Sequence, residues 1–359
     1  MLIEENKLLA PFTTLSIGGP ARWFVEVASE DEIAEATAWA KQREAQLFVL
    51  GGGSNLLVSD AGFDGLVLRM GLRGIRATDA PSQSGQTEQR IYQVAAGEDW
   101  NCFVERTVND NCAGVECLAG IPGTVGGTPV QNVGAYGQEV ASAIERVRAF
   151  DLQERGFVEF PVAECGFGYR RSRFNSVDRG CYIVTRVDYR LTPGGAPAVR
   201  YADLQRSLAE RGSEAGEPSL AEVAAAVRRV RQSKGMLLVE GDADCRSAGS
   251  FFKNPIVGKE QLQQIEAAGA KAPPRFPAGS GAENSGMVKV PAAWLIEQAG
   301  FAKGYALGAA GISSRHTLGL INRGGAAAAD LLALAARITG AVEDRFGIRL
   351  EMEPVMVGY

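Results

Sequence analysis

The chain has one histidine, His316, among 359 residues. A Ser-His-Asp hydrolase needs an imidazole beside its nucleophile, and this histidine reads as a structural residue at a strand end, so that class is set aside. The six cysteines, at 102, 112, 117, 165, 181 and 245, are scattered. Zinc sites favour clustered cysteine and histidine, so no metal centre is expected. A reduced, cytoplasmic compartment is the simplest reading. No apolar run approaches the roughly 20 residues of a membrane span. The opening Met1-Leu2-Ile3-Glu4-Glu5 lacks the basic and apolar regions of a signal peptide. Positive charge is in deficit, with a formal net charge of -5, which argues against a nucleic-acid partner. The strand–GxGxxG–helix fingerprint of a Rossmann site is missing as well. A bound dinucleotide would therefore need a different fold.

Glycine is what the chain has in quantity. Leu118 to Gly137 carries glycine at 120, 123, 126, 127, 134 and 137, with almost no charge and no helical period. Without Cβ atoms a ligand can lie against the backbone, and amide groups in such turns form anion-binding concavities suited to a pyrophosphate. A plain surface loop is the alternative. Ile121, Val125 and Val133, alternating with the glycines, favour a buried path. A second glycine turn, Gly51-Gly52-Gly53-Ser54-Asn55, follows the apolar run Leu47 to Leu50, a buried strand by pattern. Two such loops suggest one extended ligand with a phosphate in its middle.

The periodicities give an α+β chain with a strand-rich middle. Ser29 and Glu32 form a capping box before Ile33, Ala36, Thr37 and Ala40 at helical spacing. Ser219 and Glu222 do the same for a helix running to about Lys234. Trp100, Phe103, Val104, Thr107 and Val108 make another apolar face. Strands are expected at 22–27, 47–50, 65–69, 91–95, 144–150, 157–162, 182–191 and 349–357, and loops at 77–90 and 235–246, while 193–218 holds proline, glycine and charge with Tyr201 and Leu204 in its middle. Short helices are expected at 259–267 and 292–299, and a long Ala/Leu helix after Gly324-Gly325, stopped at Gly347.

Few residues offer chemistry. Tyr169-Arg170-Arg171-Ser172-Arg173 is the most polar cluster between the central strands. A guanidinium held in a dry cleft suits a carboxylate or a developing enolate, and a basic surface turn is the alternative. Ser250, between Gly249 and Phe251-Phe252, is either a positioned proton donor or part of a capped turn. Glu351 and Glu353 share one face of the expected final strand, either as solvated carboxylates or with one entering a site. Lys289 and Glu297-Gln298 read equally well as ligand contacts or helix-face residues.

In this order, GGGSN, LAGIPGTVGGTPVQNVGAYGQE, GYRRSRF, AGSFFKNP, LIEQAG and LEMEPVMVG resemble the UDP-N-acetylenolpyruvoylglucosamine reductase family. The resemblance runs from about Leu9 to Gly358, and six motifs in order are specific where any one is weak. It implies an FAD-binding fold of the vanillyl-alcohol-oxidase (PCMH) type. The implied layout is two subdomains, 1–72 and 73–230, with 348–359 a candidate to return to the second, and a substrate domain at 231–347. It implies NADPH as electron donor, the enolpyruvyl ether of UDP-N-acetylglucosamine as substrate, and a monomer. Arg170, Ser250 and Glu353 match the catalytic positions, and Tyr169, Tyr201, Lys234, Asn254 and Glu297 match substrate contacts. Flavin contacts would be Gly51, Gly52, Gly53, Ser54, Asn55, Leu56, Ile121, Pro122, Gly123, Thr124, Val125, Gly126 and Gly127. Asn132, Gly134, Ala135 and Gly137 would complete them. With no histidine in the N-terminal half, the FAD should be non-covalent. Two departures stand out: Lys234 to Asp244 is longer than the family's Lys-Leu-Pro-Asp-Pro run and lacks proline, and Arg171 replaces a commonly acidic residue. An oxidase of the same fold and a silent nucleotide-sugar binder are the competing readings.

Overall fold

The computed structural model describes residues 1–80, 88–210, 217–268, 272–278 and 286–359. The chain divides into two compact units. The first comprises Met1–Asn6, Arg22–Gly52 and Asp64–Gln232, and the second Lys7–Ala21, Gly53–Phe63 and Ser233–Tyr359.

The first unit is built on two sheets. One has the strand order Glu4–Leu8, Pro20–Val27, Phe63–Met70, Gln46–Leu50, the last two parallel. Helix α1 (Glu30–Gln42) starts at Ser29, whose hydroxyl accepts from the Glu32 amide, while the Glu32 carboxylate takes the Ala28 amide. It buries Ile33, Ala36, Thr37 and Ala40, the stripe the sequence marks. The other sheet is antiparallel, in the order Phe157–Pro161, Ile144–Asp151, Tyr182–Pro193, Arg90–Ala95, Ile75–Asp79. Helix α2 (Trp100–Asn109) buries Trp100, Phe103, Val104 and Thr107 and is capped by Asp99. Two further helices follow, α3 (Ala202–Ala209) and α4 (Leu220–Ser233), the latter opened by the reciprocal Ser219–Glu222 pair.

The second unit has an antiparallel sheet in the order Ser247–Ser250, Gly319–Asn322, Ala310–Ile312, Ala306–Leu307. Around it lie α5 (Lys259–Ala268), α6 (Ala292–Gln298) and α7 (Ala328–Phe346). Its core joins Leu15, Ile17 and Leu57 to Phe251, Leu295, Leu331, Ile338 and Phe346.

Several expectations need correction. The final strand spans only Val355–Val357, paired in parallel with Leu56–Val58. Pro354 has no amide to give a ladder, so pairing begins after it. Glu351 and Glu353 therefore lie outside a regular strand. The expected loop 77–90 is partly strand, since Ile75–Asp79 pairs with Arg90–Val94, and its 81–87 portion lies outside the described residues. Within 193–218, where the sequence marks no element, lies α3, anchored by buried Leu204 and Leu208, and the 211–216 portion is also outside the described residues. Helix α7 begins at Ala328, after Gly324-Gly325 as expected, and the Asp60 carboxylate accepts from the Ala328 and Ala329 amides. Gly347 stops it at φ 66°, as expected.

Candidate active site

In the first unit the two glycine loops meet backbone to backbone. A Cβ on Gly52 would lie 2.5 Å from Gly123 Cα, and one on Gly51 would lie 2.8 Å from Thr124 Oγ1. A Cβ on Gly126 would lie 2.6 Å from Ala96 Cβ. A Cβ on Gly127, by contrast, would meet nothing within 4 Å. The strip is packed on its inner side and bare on its outer one. Bare backbone is the cradle a diphosphate needs, so these residues fit an FAD. The start of α2 holds the strip: the Trp100 amide donates to Gly123 O at 3.1 Å and Asn101 Nδ2 to Ile121 O at 3.0 Å. Below it, Arg231 of α4 is buried and donates from Nε to Gly120 O at 2.9 Å.

The polar cluster is tied to the far end of the same strip. Asn132 is buried and donates to Gly168 O (3.0 Å) and the Glu139 carboxylate (2.8 Å). Arg170 donates from Nη1 to Gly134 O at 3.1 Å, and Ser172 donates to Val130 O at 2.6 Å. Arg170 takes φ 53°, which a bulky side chain adopts only when its surroundings impose it. Its guanidinium carbon lies 5.6 Å from the Tyr169 ring centroid. The three arginines separate cleanly. Arg171 is exposed, Arg173 is committed to Asp178 (2.7 Å) and the Phe160 ring (4.0 Å), and Arg170 is half-buried. Tyr201 precedes α3 and is 37% exposed; it meets Tyr136 edge to face at 5.5 Å.

The second unit holds Gly53 to Leu56, Lys234, Ser250, Asn254, Glu297 and Glu353. Gly53 is buried at φ 63°, where a Cβ would strike Phe12 O, so glycine is required there. Ser250 ends its strand opposite Gly319, half-buried. The next residues, Phe251 and Phe252, are fully buried and fix the backbone at the serine. The Glu353 amide donates to Phe251 O at 2.9 Å, and Asn55 Nδ2 donates to Glu353 O at 3.2 Å. Glu353 is thereby placed beside the serine strand, while Glu351 is exposed and ion-paired with Lys253. Asn254 Oδ1 accepts from the Ala292 amide at 2.9 Å and caps α6. Glu297, exposed on α6, accepts from the Thr317 hydroxyl at 3.1 Å.

Lys234 is half-buried, and the adjoining Gly235 packs against the Ser313–Arg315 turn. Burial, with Lys234 and Lys303 nearby, depresses His316 to a pKa of about 4. Its Nδ1 accepts from the Leu318 amide at 3.0 Å, which fits the expected structural histidine. Arg315 pairs with both Asp242 and Asp244, and Asp244 also accepts from the Ser314 amide and hydroxyl. Those bonds set the path of the 235–246 segment. Sequence reasoning missed Arg315, Arg231 and Tyr136. Nothing local announces a pairing across 70 residues, but an arginine next to the apolar stripe of α4 was a visible signal for Arg231.

Comparison with known proteins agrees with this chemistry. An FAD binding domain family matches residues 21–154, and the UDP-N-acetylenolpyruvoylglucosamine reductase C-terminal domain family matches 241–357. The protein is thus an FAD-dependent oxidoreductase with an α+β fold. The UDP-N-acetylenolpyruvoylglucosamine reductase of Thermobifida fusca is 45% identical over 99% of this chain and 98% of its own. That of Streptomyces coelicolor is 44% identical over 98% and 89%. The crystal structure of the Thermus caldophilus reductase aligns with a TM-score of 0.65 and 28% identity, over 99% of both chains. The chain belongs to the UDP-N-acetylenolpyruvoylglucosamine reductase family. Among the described residues no helix is long and apolar enough to cross a membrane.

Proposed function

We propose that the protein reduces the enolpyruvyl group of UDP-N-acetylenolpyruvoylglucosamine to UDP-N-acetylmuramate, using NADPH and non-covalent FAD. This step makes a peptidoglycan precursor in the cytoplasm, and so serves cell-wall growth, cell shape and division. The near full-length match to relatives of that name carries the reading. When bound, FAD supplies a two-electron carrier between NADPH and C3 of the enolpyruvyl group.

The chain's own residues account for the rest. Gly51 to Leu56, Ile121 to Gly127 and Asn132, Gly134, Ala135 and Gly137 hold the cofactor with backbone, at a strip where side chains would intrude. Charge that builds on C2 and the carboxylate is offset by Arg170, whose planar fork matches a carboxylate. Ser250 gives the proton to C2, and Glu353 orients or polarises the same group. Lys234, Asn254, Glu297, Tyr169 and Tyr201 contact the substrate, with Lys234 suited to its diphosphate. Residues 1–72 and 73–230 form the two FAD subdomains and 231–347 the substrate domain. Capture of Asn254 Oδ1 by the α6 cap leaves its amide nitrogen as the group to offer a ligand.

Anaerobic stopped-flow tests the proposal. NADPH should bleach the flavin, and UDP-N-acetylenolpyruvoylglucosamine should restore its colour. Recovery only on admitting oxygen would establish an oxidase instead, and protein purified without any flavin would leave a binding role.

A further inference from the structure

Gly134–Ala135 and Gln138–Glu139 form a small antiparallel hairpin. Its two connecting residues, Tyr136 and Gly137, have φ 52° and 82°. Positive φ at both positions is the type I′ pattern, where asparagine, aspartate or glycine is favoured at the first and glycine at the second. The glycine obeys that rule and the tyrosine breaks it. A bulky residue held at positive φ has a conformational cost, so its ring needs an occupation.

The surroundings of the ring supply one. The hydroxyl of Tyr136 hydrogen-bonds the buried Arg231 guanidinium, which also holds Gly120 O at 2.9 Å. The ring of Tyr136 stands perpendicular to that of Tyr201, at 85°. Arg170 holds the same hairpin at Gly134 O. Of the two tyrosines, Tyr136 is fixed by a tight turn and a buried cation. Tyr201 lies at the exposed start of α3, while that helix is anchored by Leu204 and Leu208. The fixed ring therefore determines where the other can settle.

We propose that Tyr136 is a positioning residue for the substrate half-reaction: locked by Arg231, it provides the ring edge against which Tyr201 closes over the substrate. This rests on Tyr201 being a substrate contact. Tyr136→Asn separates the role from folding, because asparagine suits the turn better than tyrosine while removing the ring. The variant should keep its flavin and its rate of reduction by NADPH, while loss of the bond to buried Arg231 lowers its melting temperature, as it does in Tyr136→Phe. Its KM for the enolpyruvyl substrate should rise about five-fold, the loss expected for one aromatic pair, and its Kd for UDP-N-acetylmuramate should rise alike. Tyr136→Phe, which keeps the ring edge, should fall between the two.

The Tyr136→Asn/Tyr201→Ala double variant should be no worse than Tyr201→Ala alone, since each change removes the same contact. An unchanged KM in Tyr136→Asn, beside a raised one in Tyr201→Ala, would overturn the proposal, as would effects that simply multiply. An unchanged KM in Tyr201→Ala would instead remove the substrate role of Tyr201, and the proposal with it.

Discussion

Gly126 and Gly127 are adjacent and chemically identical, yet adding one methyl group to each should fail in different ways. A Cβ on Gly126 would sit 2.6 Å from Ala96 Cβ and 3.1 Å from Ala96 O, and Ala96 is fully buried. Neither neighbour is the end of a flexible side chain, so the backbone must move. Overpacking of that kind costs about 1–3 kcal/mol. At roughly 2–4 °C per kcal/mol for a domain of this size, Gly126→Ala should melt several degrees lower even without flavin. Gly127 is exposed, its Cβ would meet nothing, and its φ is not positive, so Gly127→Ala should leave the flavin-free protein within about 1 °C of wild type. If FAD lies on the bare side of this strip, the same methyl group intrudes on the cofactor. At about 1–3 kcal/mol, FAD affinity should fall about 5- to 150-fold. Thermal unfolding of the flavin-free variants and fluorescence titration with FAD measure the two quantities separately. A Gly127→Ala protein that binds FAD with wild-type affinity would show that the strip does not carry the cofactor.

Other expectations concern the chemistry and the buried histidine. Ser250→Ala should be reduced by NADPH at near wild-type rate and lose reoxidation by substrate about 100-fold or more, and equal loss of both steps would mark the serine as structural. Arg170→Lys should likewise impair mainly the second half-reaction, because a point charge replaces a fork, with single-turnover reoxidation as the readout. His316 sits near pKa 4 against 6.5 for the free side chain, so the unfolded chain binds its proton first as pH falls. Its contribution to stability is complete above about pH 6.5 and is lost as pH falls toward 4, amounting to about 1–3 kcal/mol. Urea unfolding of wild type and His316→Gln should therefore differ in pH slope across that window, and parallel curves would refute the assignment.

Local signals made much of the fold legible. The Ser29–Glu32 and Ser219–Glu222 boxes are contained within four residues each, and the stripes behind them face the core as their spacing requires. The misses involve partners distant in sequence. Arg315 finds Asp242 and Asp244 in a far part of the chain, and α3 is a short helix with only Leu204 and Leu208 to declare it. At the candidate site, the glycine strip and one partly buried arginine in the 169–173 cluster could be read from composition and neighbours, and the family resemblance singles out Arg170. That Asn132, Arg170 and Ser172 bind the cluster back onto the strip could not, since backbone carbonyls have no sequence signature.

The division of the chain into interleaved segments bears on how it is made. Leu15, Ile17 and Leu57 belong to a core completed by Leu331, Ile338 and Phe346. A ribosome adding about 5–20 residues per second needs roughly 15–60 s to travel from the first group to the last. For that interval the core that takes up these apolar residues is incomplete, whereas the core around Trp100, Phe103 and Tyr189 can close much earlier. Newly made chains should therefore be most vulnerable to aggregation and proteolysis through the segment around Leu15 and Ile17, and a fragment ending before residue 331 should leave it incompletely buried.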